Sequence, residues 1–196
     1  LKPVAEACLR NQQPIAEALA PLLDQPGRWL ELGSGTGQHG VFLAQRHPHV
    51  VWQLSDVAAA QPGLRAWQTD VGLPNLPVPR ELDVACQTPP PEHYDGVFTA
   101  NTVHFVGWPV VKGLMSCASS VLEAGGWFAV YGPFNKNGQY TSQGNEALDA
   151  WLKSRDPASG IKDDTAVIEL ALSYDLAFDQ DQAMPANNRM LFFRKR

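Results

Sequence analysis

The chain has 196 residues, a length that favours one domain with room for one sizeable core. Its 44% hydrophobic and 18% charged residues describe a globular composition and exclude a disordered or collagen-like one. Fifteen Lys and Arg against 20 Asp and Glu leave a net charge of −5, so no sequence-wide positive field exists to hold a phosphate backbone, and non-specific nucleic-acid binding is disfavoured.

In chain order, Ile15, Leu19, Leu22 and Leu23 mark one face of a helix over residues 11–23, closed by Pro26-Gly27. A short apolar run, Trp29 to Leu32, leads into the glycine-rich Gly33-Ser34-Gly35-Thr36-Gly37, and Gln38 to Arg46 follows as a helix. Val50 to Leu54 is a second buried strand that ends at Ser55-Asp56. A helix over Pro62–Val71 and a short strand over Arg80–Val84 come next, then Pro89-Pro90-Pro91, which can enter neither a helix interior nor a central strand. Asp95 to Asn101 is a fourth strand, Val110 to Leu122 carries a helix that Gly125-Gly126 stops, and Trp127 to Tyr131 is a fifth strand. Strands that alternate with helices imply βαβ units and a mostly parallel sheet covered on both faces.

The last third reads differently. After a polar, turn-rich stretch come helices over Glu146–Ser154 and Thr165–Ser173, then strands over Leu176–Ala183 and Arg189–Phe193. Their connector, Met184 to Asn188, suits an antiparallel hairpin and is too short for a crossover helix.

No run approaches the ~18 uninterrupted apolar residues of a membrane span, and the N-terminus lacks the order of a signal peptide, so a cytoplasmic protein without a membrane partner is expected. Cys8, Cys86 and Cys117 form no CxxC pair and read as reduced, buried apolar residues. His39, His47, His49 and His93 show no metal-ligand spacing, and no metal is expected.

The glycine run sits where the first strand turns into a helix, the place where open α/β sheets bind ligands. A dinucleotide fingerprint starting at Gly33 needs glycine at position 38, which is Gln38, and no Gly-Lys-Ser/Thr follows for a phosphate loop. Asp56 ends the second strand 19 residues after Gly37, where a carboxylate can accept hydrogen bonds from both ribose hydroxyls. Asp83 ends the third strand; a solvated cap is its alternative reading. Glu31, Asp56 and Asp83 together favour a cationic ligand and repel a pyrophosphate.

These residues resemble the class I S-adenosylmethionine-dependent methyltransferases. ELGSGTG is similar to their first motif, WQLSD to the ribose-binding second, LDV to the acidic stretch near the adenine, YDGVFTAN to the fourth strand and LEAGGWFAVYGPF to the fifth. More narrowly, Arg10-Asn11 with Pro14, GSGTGQH, Asn101 to His104, Tyr131 to Phe134, Arg155-Asp156-Pro157 and Met184 to Asn188 resemble a small methyltransferase-like family labelled as a domain of unknown function. The resemblance implies an α/β Rossmann-like fold: a mostly parallel seven-stranded sheet, helices on both faces and a C-terminal antiparallel hairpin. It implies one domain over 1–196, with a helical segment at 1–27, a cofactor-binding core at 28–132 and an acceptor-side segment with the hairpin at 133–196.

The resemblance also implies roles. Gly33, Ser34, Gly35, Thr36 and Gly37 would line the methionine moiety of S-adenosylmethionine, with Glu31 near its amino group. Asp56 would hold the ribose, Asp83 and Val84 the adenine, and Asn101 would stand behind the sulfonium; S-adenosylhomocysteine would be the product. His104 is placed as base or acceptor-orienting residue, or else as a packing histidine at the rim. Trp108, Tyr131 and Phe134 would wall an acceptor pocket or pack the core, and Arg10, Asn11, Asn187 and Asn188 lie in segments that could fold over its mouth. The expected function is methyl transfer to a small-molecule acceptor by a monomer or homodimer. A catalytically inactive S-adenosylmethionine-binding sensor or partner is the alternative, and Gln38 weakens a nicotinamide oxidoreductase.

Overall fold

The computed structural model describes residues 2–196. Seven strands form one sheet: β1 (Gly27–Leu32), β2 (Val50–Asp56), β3 (Arg80–Glu81), β4 (Tyr94–Ala100), β5 (Leu122–Gly132), β6 (Leu176–Met184) and β7 (Asn188–Lys195). Their spatial order is β3-β2-β1-β4-β5-β7-β6. The first five pair in parallel, and β7 runs antiparallel between β5 and β6, as the short 184–188 connector requires. The order reverses between β1 and β4, and the carboxyl ends of these two strands flank the crevice that such a reversal opens.

Six helices cover the sheet: α1 (Glu6–Leu19), α2 (Gln38–Arg46), α3 (Gln61–Val71), α4 (Trp108–Val121), α5 (Gln143–Arg155) and α6 (Asp164–Leu172). The sheet is buried on both faces. One core packs Ile15 and Leu19 of α1, Val41 of α2 and Leu64 of α3 against Trp29, Trp52 and Phe98. The other packs Val111, Leu114 and Met115 of α4 and Val167 of α6 against Leu30, Val97 and Phe128. Two-sided burial explains why the central strands read as continuous apolar runs rather than as alternating patterns.

Several boundaries differ from the sequence reading. Helix α1 begins at Glu6 rather than near residue 11, and its last predicted turn is a 3₁₀ segment, Ala20–Leu22. Pro14 lies inside α1 and removes the hydrogen bond that would reach the Arg10 carbonyl. Helix α4 stops at Val121, and Gly125 and Gly126 lie inside β5, where the pairing with β4 shifts register between Tyr94 and Gly96. Strand β3 is confined to Arg80 and Glu81 because it pairs with only Ser55 and Asp56 of β2. No helix among the described residues is long and apolar enough to cross a membrane.

Candidate functional site

The glycine loop starts where β1 ends. Gly33, Gly35 and Gly37 all have positive φ, at 67°, 57° and 85°, a conformation that glycine adopts without the strain a Cβ would bring. The loop is tied to β2 by Ser34, whose N–H donates to the Ser55 carbonyl at 3.0 Å and whose hydroxyl accepts the Ser55 N–H at 3.0 Å. Ser34 is buried, and its side chain is committed to this bracing. Gly33 sits so close to the segment after β4 that a Cβ on it would lie 2.8 Å from Thr102 Oγ1.

Asp56, at the end of β2, accepts the Gly35 N–H at 2.7 Å through one carboxylate oxygen and the Val57 N–H at 2.7 Å through the other. An N–H that a nucleotide phosphate would use is therefore already directed at a carboxylate. Together with Gln38, this geometry suits a ligand without a pyrophosphate. Glu31 is only 1% exposed; its carboxylate oxygen accepts the Trp52 indole N–H at 2.8 Å, and burial pushes the carboxyl up to about 8. A neutral carboxyl is thus held behind the loop, ready to ionise beside a cation, while Asp56 stands at its front.

Helix α1 roofs this loop. The Ala5 N–H donates to Gln38 Oε1 at 2.6 Å, and the Thr36 hydroxyl donates to the same oxygen at 3.0 Å. Asn11 Oδ1 lies 2.7 Å from His39 Nε2, and Cys8 Sγ lies 3.8 Å from the other ring nitrogen of His39. An amide oxygen only accepts, so Nε2 carries the proton and Nδ1 takes the Cys8 S–H. Burial holds His39 down at about 4, in its neutral form.

Beyond Asn101 the crevice widens into a cavity of about 530 Å³. Its walls come from α1 (Arg10, Asn11), the segment after β4 (Asn101, His104, Phe105) and the end of β5 (Tyr131). Asn101 adopts φ 52°, and its N–H donates to the Tyr131 carbonyl at 3.0 Å, so the chain turns sharply into the cavity wall. His104 is buried, and its Nδ1 has no hydrogen-bond partner among the described residues. That nitrogen faces Gly132, where a Cβ would approach it to 3.4 Å. Burial, aided by the Lys162 ammonium, holds His104 at about 4. Lys162 is itself buried and donates to the carbonyls of Val106 and Gly160. Asp149 supports that loop from α5 by accepting the Ile161 N–H at 2.6 Å, together with Tyr140 and Lys153.

Residues 2–195 match a family described as "Protein of unknown function (DUF938)". The chain belongs to this family. Among solved structures it is similar to an O-methyltransferase family protein from Burkholderia thailandensis, with a TM-score of 0.84 and 13% identity over 97% of this chain and 57% of that one. It is also similar to the S-adenosylmethionine-dependent methyltransferase SibL in its apo form, at TM-score 0.80 and 19% identity over 96% of this chain and 55% of that one. Human N-acetylserotonin methyltransferase in complex with SAM matches at TM-score 0.80 and 17% identity over 97% of this chain and 53% of that one. These likenesses give this DUF938 chain the methyltransferase fold. It spans little more than half the length of the solved proteins it matches.

Within that fold, the residues read from the sequence separate into groups. Asn101, His104, Tyr131 and Asn188 meet at the cavity, as do Arg10 and Asn11. Phe134 does not; it is 1% exposed inside the core beneath α4 and α6, because the chain turns inward after Pro133. Trp108 faces a separate cleft beside Pro157 and Lys162, since it opens α4 on the far side of the loop. Asn187 points its backbone carbonyl at Asn145, 3.4 Å away, and is absent from the cavity wall. Asp83 lies two residues beyond β3 and accepts the Ala85 N–H at 2.9 Å as a turn cap, although the Leu82 N–H donates to the Asp56 carbonyl at 2.9 Å and keeps the segment beside β2. Val84 follows, with its carbonyl pressed against Gly113 of α4. Cys117 is buried as expected, but Cys86 is exposed because its turn projects past the sheet edge. The roofing contacts of Cys8, Gln38 and His39 escape a sequence reading; the one signal for them was the polar Arg10-Asn11 step in an otherwise apolar-faced helix.

Proposed function

We propose that this protein transfers a methyl group from S-adenosylmethionine to a small-molecule acceptor. The observation that carries the proposal is the contact of two unlike compartments: a glycine loop fronted by Asp56 abuts, through Gly33 and Thr102, the segment whose Asn101 and His104 wall the cavity. A volume of about 530 Å³ lies within the usual range for a small ligand.

On this reading Gly33, Gly35 and Gly37 let the cofactor's methionine moiety approach the backbone. Asp56 turns its carboxylate to the ribose hydroxyls, and the exposed Val57 with the Asp83-Val84 segment flanks the adenine. When bound, the cofactor supplies a methyl group on a cationic sulfur, a charge compatible with Asp56 and with ionised Glu31. The chain's own work is positional: α1 closes over the loop and excludes water, and Asn101 fixes the boundary between the compartments. His104 is neutral; with Nδ1 buried against Gly132, its other ring nitrogen, Nε2, accepts the proton that the acceptor's heteroatom sheds as the new bond to carbon forms. A heteroatom that has just gained a methyl group is strongly acidic, so a base of low pKa suffices. The SAM-dependent methyltransferases among the structural neighbours support the choice of cofactor.

Calorimetry with S-adenosylhomocysteine tests the cofactor half. Binding is expected, and Asp56→Ala is expected to weaken it about tenfold or more by removing a charge-assisted acceptor. Binding of NAD with none of S-adenosylhomocysteine would overturn the proposal. For turnover, His104→Ala is expected to lower the rate of labelled-methyl transfer into a metabolite extract and leave cofactor affinity unchanged.

A further inference from the structure

The cavity beside the glycine loop has a charge of its own. Arg10 of α1 is the one ionised side chain in its wall, and none of its lining residues is Asp or Glu, although the whole chain carries a net charge of −5. Lys162, whose ammonium acts on His104, lines the separate cleft beside Trp108 and brings no carboxylate to this wall. The acid nearest to Lys162 in effect, Asp149, is already committed to Tyr140, Lys153 and the Ile161 N–H. Glu31, Asp56 and Asp83 all lie on the loop side of Asn101 and are absent from the cavity wall. The two compartments are thus opposite in sign, acidic at the loop and basic at the cavity. The remaining surface is largely apolar, from Pro14, Phe105, Pro133, Leu148 and Pro185.

Resting on the methyltransferase reading, we propose that the acceptor is a small organic acid: a compact apolar body that carries an anionic group against Arg10 and a protonated heteroatom against the His104 imidazole. An ammonium-bearing acceptor is disfavoured, since the cavity would place it beside one guanidinium with no carboxylate to receive it. The guanidinium suits a carboxylate because its planar N–H fork matches two oxygens at once.

The test uses three matched probes: 4-hydroxybenzoate, 4-hydroxybenzamide and tyramine, titrated into the full chain with and without saturating S-adenosylhomocysteine. The acid is expected to bind about tenfold more tightly than the amide, with tyramine weakest. Arg10→Gln is expected to abolish most of that preference and leave S-adenosylhomocysteine affinity within about twofold, while Arg10→Lys retains part of it. Equal binding of the three, a preference for tyramine, or no binding of any would overturn the proposal. So would an Arg10→Gln protein that loses S-adenosylhomocysteine affinity and keeps the acid preference, since Arg10 would then serve the cofactor's own carboxylate. Failure of S-adenosylhomocysteine to bind wild type would instead sink the methyltransferase reading, and the titrations without it still decide whether the cavity selects acids.

Discussion

Asn11 and His39, 28 residues apart in the chain, meet at 2.7 Å and latch the first helix onto the helix that follows the glycine loop. The latch depends on a neutral imidazole whose Nε2–H points at the amide oxygen while Nδ1 turns to Cys8. Replacing Asn11 with Ala leaves that N–H without a partner in a partly buried place, at a cost of about 1–2 kcal/mol. Faster amide exchange is expected over residues 5–13, and S-adenosylhomocysteine affinity should fall about five- to tenfold. Unchanged exchange in α1 would show that the roof is held by its apolar face alone.

Stability should depend on pH with a maximum near 6.5. Burial holds His39 and His104 down at about 4 in the folded chain, against 6.5 when unfolded, so between these values the unfolded chain binds more protons and stability rises with pH. Glu31 has the opposite sign: it stands at about 8 when folded against 4.5 unfolded, so it keeps a proton that the unfolded chain has lost, and stability falls with pH across that window. Two histidines outweigh one carboxyl up to about 6.5; above it Glu31 dominates until about pH 8, where Lys162, held down at about 8 by burial, releases its proton in the folded chain and offsets it. One unit of such a shift is worth about 1.4 kcal/mol, or about 3–6 °C in a chain of this size. Melting curves from pH 4 to 8 should therefore peak near 6.5, and in Glu31→Gln the falling limb should flatten. A melting temperature that climbs steadily to pH 8 in wild type would contradict the buried, protonated carboxyl.

The parts of the site that were legible in the sequence are those made by local rules. Three glycines at alternate positions after an apolar run demand a turn with positive φ, and Asp56 follows a strand whose length is set by its apolar residues. What was not legible depends on contacts between distant segments. That His104 would have an unpartnered nitrogen depends on Gly132, and that α1 would roof the loop depends on Cys8 and Asn11 meeting Thr36 and His39. Aromatic character was a poor guide for the same reason: Tyr131 and Phe134 are three residues apart, yet one reaches the cavity and the other is packed beneath α4. The sequence carries the third strand on to Val84 through Leu82, whereas the ladder to β2 ends at Glu81.

Gly113 offers a test of how the adenine-side segment is positioned. It lies in the middle of α4, where glycine costs helix stability, and no turn needs it. The explanation is space: a Cβ at this position would lie 2.2 Å from the Val84 carbonyl oxygen and 3.2 Å from the Ala85 nitrogen, both backbone atoms that cannot swing aside as a side chain can. Gly113→Ala should therefore destabilise the protein by about 1–3 kcal/mol despite the better helix former, because α4 must move off the strap that carries Asp83 and Val84. Gly144→Ala is the control, since its Cβ would meet nothing nearer than Ser142 Oγ at 3.7 Å. In thermal melts the first variant should lose several °C and the second about none. If the strap also presents Asp83 and Val84 to an adenine, Gly113→Ala should weaken S-adenosylhomocysteine binding and leave the affinity for 4-hydroxybenzoate near its wild-type value. An alanine tolerated at 113 with no loss in either measurement would mean that the strap is free to shift and does not define the cofactor groove.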